Sequence, residues 1–212
     1  MNWTLTLDDL LATFESYNLD IWPMQVLAYI LGLIALFFAI KRTAYSSRIV
    51  VGILSFLWLW TGIGFFLLYF SRVYTPAYLF GVLFILQGAL FFASVLKPRL
   101  SFGFKLDLYS IVGLLFIAYG MIGYPAVGYF LGHLYPQTPP FGLTPCPTAA
   151  FTFGLFLLTD KKVPWLFLVV PLLWAIGGVM PVSVGILEDI GLILAGVLGT
   201  AMLVYKDRKA ST

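Results

Sequence analysis

Six stretches of the chain run without a single Asp, Glu, Lys or Arg: Asp20 to Lys41, Arg48 to Arg72, Arg72 to Lys97, Asp107 to Asp160, Lys162 to Glu188, and Asp189 to Lys206. Each approaches or exceeds the ~20 apolar residues that a helix needs to cross about 30 Å of hydrocarbon. Within hydrocarbon every backbone N–H and C=O must find a partner inside the protein, which leaves helices and closed barrels as the only ways across. Barrel strands would place polar residues at alternate positions, and these stretches show no such alternation. Composition agrees, with 61% hydrophobic and 10% charged residues, where soluble domains carry roughly 25% charged. The sequence therefore predicts an all-α, polytopic helical membrane protein in a lipid bilayer.

Five of the six intervals hold one span each. The interval after Asp107 is long enough for two, and "HLYPQTPPFGLTPCP" divides it with five prolines that no continuous helix tolerates. Seven membrane segments result, one of them a short or re-entrant half-helix. With the N-terminus outside, Lys41, Arg42, Arg48, Lys97, Arg99, Lys105, Lys161, Lys162, Lys206, Arg208 and Lys209 fall inside and only Arg72 falls outside. The positive-inside rule selects that orientation, with the C-terminus inside. The net charge of +3 is then a record of topology, and no nucleic-acid partner is expected. No basic residue precedes Lys41, so the first span is expected to insert as an uncleaved anchor.

The organisation expected is an external amphipathic segment over 1–20, a single helical bundle over 21–206, and a tail over 207–212. In the first of these, "TLTLDDLLATFESYNL" spaces Leu7, Leu10, Leu11, Phe14 and Tyr17 at helical intervals, with Thr6 and Asp9 placed as a capping box. It reads either as an interfacial anchor or as a gate over an external cavity. The fourth span gathers Gly120, Gly123, Pro125 and Gly128, which predicts a bend near the proline-rich loop. In the last span Gly191, Ala195 and Gly199 recur every four residues, a face on which a second copy of the chain can pack.

The lone cysteine, Cys146, lies between Pro145 and Pro147. From Pro147 to Thr159 there are thirteen residues before the basic cluster, about 20 Å of helix at 1.5 Å per residue. That falls short of a crossing, so "QTPPFGLTPC" must dip inward to meet it, packed in protein or lining a wet cavity. Pro147 suits the first helical position, which makes Cys146 the N-cap with unpaired N–H groups aimed at its sulfur. The only histidine, His133, opens the same loop.

Reactive readings follow from these residues, each with a plain rival. Cys146 and His133 fit a nucleophile and its base, or soft-metal ligands joined by Met180, Met121 or Met24. Equally, an interfacial His is a common belt residue and Met and Cys are common packers. Thr144 and Thr148 flank the thiol as substrate contacts, and Glu188 with Asp189 opens the last span as interfacial caps or as acceptors for a cation or proton. Gln87, Thr61, Tyr119 and Tyr124 are the other polar groups inside the bundle. A single cysteine excludes an internal disulfide and a closed structural zinc site. No Gly-rich phosphate loop or soluble domain supports ATP-driven transport by this chain.

"FGLTPCPTAAFTFGLFLL", together with the size and span count, resembles an uncharacterised bacterial integral-membrane family with a Gly-Leu-Thr-Pro-Cys-Pro-Thr signature. That resemblance implies a bacterial inner membrane and an important Cys146 loop, and brings no activity. A looser similarity links the motif to the intramembrane Cys-Pro segment of heavy-metal transport ATPases, whose second cysteine and ATPase domains are missing here. Three functions are expected, in this order. The first is a small permease with an outward cavity floored by the Cys146 half-helix, moving a small solute, anion or soft metal ion. The second is a membrane-embedded thiol enzyme using Cys146 and His133. The third is a non-catalytic assembly subunit. No resident cofactor is expected beyond that metal ion.

Overall fold

Prolines, glycines and short polar turns cut the chain into helices close to where the charge-free intervals predict them. The computed structural model describes residues 5–209; residues 1–4 of the external segment and 210–212 of the tail lie outside the described residues. Among the described residues the fold is all-α, and extended pairing is confined to one bridge between Phe102 and Thr159. Five helices are long and apolar enough to cross a membrane: 46–72, 77–96, 108–130, 166–184 and 189–209.

The chain begins with α1 (Leu7–Asp20), started by the predicted capping box: Thr6 Oγ1 accepts from the Asp9 amide at 3.2 Å, and the Thr6 amide donates to Asp9 Oδ2 at 3.1 Å. The Thr6 hydroxyl first, and its backbone N–H second, hold the Asp9 carboxyl below its ordinary pKa. After a turn at Pro23, α2 (Met24–Ile40) leaves at 88° to α1. Its 17 residues stand at the lower limit for a crossing. Next come α3 (Ser46–Trp60), extended by a π-helical stretch over Thr61–Leu67, and α4 (Ala77–Leu96).

The fourth long helix is composite: α5 (Leu108–Ala118), a π-helical turn over Tyr119–Gly123, and α6 (Tyr124–Phe130). The clustered glycines and Pro125 therefore produce a change of hydrogen-bond pattern inside the span. Pro125 has no N–H, so the Met121 carbonyl one turn earlier loses its usual donor. The Tyr29 hydroxyl from α2 donates to that carbonyl at 2.8 Å. The same solution recurs in α8 (Leu166–Gly177), which continues through α9 (Val179–Val184). Pro171 frees the Phe167 carbonyl, and Gln87 Nε2 of α4 donates to it at 3.2 Å. Membrane-type helices keep interior prolines on condition that a neighbour supplies the missing donor.

At the centre stands α7 (Pro145–Leu157), 13 residues, with α5, α10 (Asp189–Lys209), α8, α3 and the Tyr119–Gly123 turn packed around it. From Pro139 to Thr159 every residue is buried, so the irregular approach to α7 is covered by protein, as backbone of that kind requires. Close approach depends on glycine. A Cβ on Gly154 would stand 2.6 Å from the Gly113 carbonyl oxygen of α5, and a Cβ on Gly120 would stand 2.7 Å from the Pro147 carbonyl oxygen. At its far end the exposed carbonyls of α7 are met by a cation: Lys206 Nζ donates to the Thr159 carbonyl at 2.6 Å.

The start of α7 differs from the expected one. Thr144, with φ −124° and ψ 157°, is the N-cap, Pro145 is the first helical residue, and Cys146 lies inside the first turn. Beginning two residues early places both Pro145 and Pro147 in the first turn, where a missing N–H costs no intrahelical bond. The sulfur is thus no acceptor for the helix's free N–H groups. The small-residue face of α10 also differs from its expected use. A Cβ on Gly191 would collide with the Tyr119 ring, Ala195 is fully buried, and Gly199 faces Phe153, so this stripe is filled from within the chain.

Candidate functional site: a buried carboxyl beneath an aromatic cavity

Two consecutive carboxyls, Glu188 and Asp189, sit fully buried at the start of α10. Neither lies at a surface, as a simple helix cap would. Each is bound to different elements. Asp189 receives the Tyr124 hydroxyl on Oδ1 at 2.6 Å and the Cys146 thiol on Oδ2 at 3.3 Å. Glu188 Oε1 meets His133 Nδ1 at 2.7 Å, and the Glu188 carbonyl accepts the Tyr119 hydroxyl. Glu188 Oε2 is buried with no hydrogen-bond partner.

Local sequence explains why these groups converge. The π-helical turn swings Tyr119 and Tyr124, five residues apart, onto the start of α10. The early start of α7 turns Cys146 toward the same carboxyl. The loop before α7 is fixed by α1: Asn18 Nδ2 donates to the Pro136 and Thr138 carbonyls at 2.6 and 2.8 Å, and the Tyr17 hydroxyl donates to the Leu143 carbonyl at 2.8 Å. Trp60 Nε1 donates in turn to the Tyr17 hydroxyl at 2.9 Å. The amphipathic segment is therefore a clamp on the proline-rich loop as well as a surface helix.

Above Asp189, Tyr124 and Cys146 opens a cavity of about 260 Å³. Its walls are nearly all apolar and strongly aromatic, with Phe65, Phe66, Phe80, Phe84 and Trp174 contributed by three helices. Leu10 and Phe14 of α1 close one side and Met180 of α9 another. The Trp174 indole N–H is buried with no hydrogen-bond partner, and its side chain lines the same cavity as Cys146. Among the described residues Asp189 is the only carboxyl in the lining.

The sequence-predicted residues divide accordingly. Cys146 and Asp189 meet at the cavity floor, and Met180 lines its wall. His133 binds Glu188, and no hydrogen bond joins it to Cys146 among the described residues. Thr144 and Thr148 are turned away: their hydroxyls donate to the Pro140 and Thr144 carbonyls at 2.8 and 2.6 Å. No group of three His, Cys, Asp or Glu side chains that could hold a metal ion is found among the described residues. Trp174 and the phenylalanine walls were not singled out from sequence. Their signal was the spacing of Phe66, Phe70 and Tyr74 every four residues beside Phe65.

A family model described as "Family of unknown function (DUF6064)" matches residues 8–212. No curated protein and no solved structure matches the chain.

Proposed function

We propose, for a chain that belongs to the DUF6064 family of unknown function, a membrane carrier that admits a small, largely apolar solute to the cavity above Asp189. In this reading α2, the five long helices and the half-helix α7 make seven membrane segments, with α1 outside and the basic loops inside a bacterial plasma membrane. The Lys and Arg distribution supports that orientation. The observation that carries the function is the cavity itself. A buried carboxyl bound to a thiol and a phenol, at the bottom of an aromatic chamber and beside a broken helix, is the kind of intramembrane polar site that marks a substrate path.

Apolar walls disfavour a hydrated anion, which would lose its water against phenylalanine with no basic residue among the described residues of the lining. The thiol enzyme expected from sequence pairs Cys146 with His133, whereas the Cys146 hydrogen bond runs to Asp189 and His133 is bound to Glu188. An inert assembly subunit has no use for a chamber of this size.

A carrier must open its site to each side in turn. In sealed vesicles of both orientations, a membrane-impermeant thiol reagent is expected to modify Cys146 from either face, and Leu10→Trp, which fills the α1 side of the cavity, slows only the reaction from the α1 face. Modification confined to that face in every condition would leave a one-sided binding protein and remove the carrier.

A further inference from the structure

Among the described residues no cationic side chain contacts Asp189. Neither the Arg42–Asp160 ion pair nor the His133–Glu188 contact includes Asp189. Its two hydrogen-bond donors, Tyr124 and Cys146, are neutral. Among the described residues the titratable or polar groups around it are Tyr119 and Tyr124 from the composite helix, Cys146 from α7, Trp174 from α8 and Glu188 just before it, whose side chain meets His133, with Tyr74 in the same cavity lining. Leu10 and Phe14 of α1, and Leu5 just before it, bring no charge to the cavity. An ionised carboxylate taken out of water without a cation is costly, so the site must hold either a proton or a positive charge from elsewhere.

The walls specify which positive charge. An inorganic cation keeps or replaces its water with oxygen ligands, and beyond Asp189 the described lining offers two phenols, Tyr74 and Tyr124, a thiol, a thioether and aromatic rings. Aromatic faces attract cations through their quadrupole, and most strongly once water is excluded. The rings of Phe65, Phe66, Phe84 and Trp174 already pack within 4.9 to 5.4 Å of one another in a continuous set, with Phe66, Phe80 and Phe84 all edge-on or tilted around Trp174. Such a chamber takes an apolar body and a soft, diffuse positive head together. Each carboxylate oxygen has spare lone-pair capacity after accepting one hydrogen bond.

We infer that the ligand of this cavity is a small lipophilic organic cation, an alkyl- or arylammonium, that takes the place of the Asp189 proton. This rests on the carrier reading above and names its substrate class. The exchange balances: the carboxylic acid gives up one proton as the ammonium enters, and the site stays neutral before and after. Tyr124 and Cys146 keep their hydrogen bonds to the carboxylate throughout and so hold it in place.

The native Cys146 reports occupancy, because it lines the cavity beside Asp189. The experiment measures N-ethylmaleimide alkylation of the full chain in nanodiscs with three probes: benzyltrimethylammonium, its neutral carbon isostere neopentylbenzene, and toluenesulfonate. The ammonium is expected to slow alkylation at least about tenfold at pH 8 and less at pH 5, where protons compete, with toluenesulfonate inert. In Asp189→Asn, scored as the ratio of protected to unprotected rate so that altered thiol reactivity cancels, the ammonium effect is lost. Protection by neopentylbenzene alone, equal in the variant, overturns the cation and leaves the carrier. Absence of protection by any probe overturns both. Should Asp189→Asn fail to fold, the ammonium-to-neutral ratio and its pH dependence in the unaltered protein decide the matter.

Discussion

The two ends of α7 meet the same problem, a short helix buried on all sides, and meet it in opposite ways. At the Thr159 end a single long cation, half-buried Lys206, donates to a backbone carbonyl while Arg42 reaches Asp160 at 2.8 Å from a side chain that is 66% exposed. Arg48, Arg99 and Lys161 line an open polar groove beside that ion pair. Charge there is abundant and stays in contact with water. At the Cys146 end charge is scarce and fully enclosed, and it is held by neutral hydroxyl and thiol donors. Ion pairs at a wet surface contribute little and can be lost cheaply, whereas an enclosed carboxyl ties the stability of several helices to its hydrogen bonds. The difference locates where the molecule has accepted cost for a purpose.

Substitution at both ends tests that contrast. Asp189→Ala strands the Tyr124 hydroxyl and the Cys146 thiol and opens a void; a loss of about 3 kcal/mol is expected, read from denaturant unfolding in detergent. A change below about 1 kcal/mol there would erase the distinction between the ends. In the middle of α7, Gly154→Ala forces a methyl against the Gly113 carbonyl and should cost about 2 kcal/mol by the same measurement. Lys206→Met removes the donor to Thr159 and is expected to cost about 1 kcal/mol, with faster amide exchange over 155–159 as its local signature. Arg42→Ala, at the exposed pair, should change stability by under about 0.5 kcal/mol, and a larger effect would show that the groove end is also tightly coupled.

The smallest effect lies in α1. The folded-state pKa of Asp9 lies below its ordinary value, so its support of the helix start is complete above the ordinary aspartate range and fades as pH falls through the lowered value. Amide protection at Asp9 and Leu10 should follow that course, and in Asp9→Asn it should be flat with pH. A pH response that survives the substitution would assign it to another group.

What the sequence made legible followed from hydrocarbon's intolerance of charge and of unpaired backbone. Charge-free intervals located the helices, the capping box located the start of α1, and five prolines with thirteen following residues revealed α7 as too short to cross. The exact start of α7 was missed because a cap depends on which of two prolines sits first, and both positions are sterically acceptable. The second π-helical stretch at Thr61–Leu67 left only "TGIG" as a trace, since one extra residue per turn has no composition of its own. At the site, Cys146 and Asp189 were each visible as odd residues. Their contact was not, because 43 residues separate them and nothing local records the pairing. His133 was read toward Cys146 from nearness in sequence, while the fold hands it to Glu188 across 55 residues.

The arrangement around α7 also sets an order on biosynthesis. The residues that fasten its two ends, Asp189 and Lys206, both belong to α10, which leaves the ribosome after it. On the membrane reading proposed above, a segment too short to cross lipid unaided waits among the helices already delivered until the final span arrives to lock it home. A nascent chain halted before residue 189 would lack both the Asp189 and the Lys206 contacts and leave the thiol-bearing segment without its anchor.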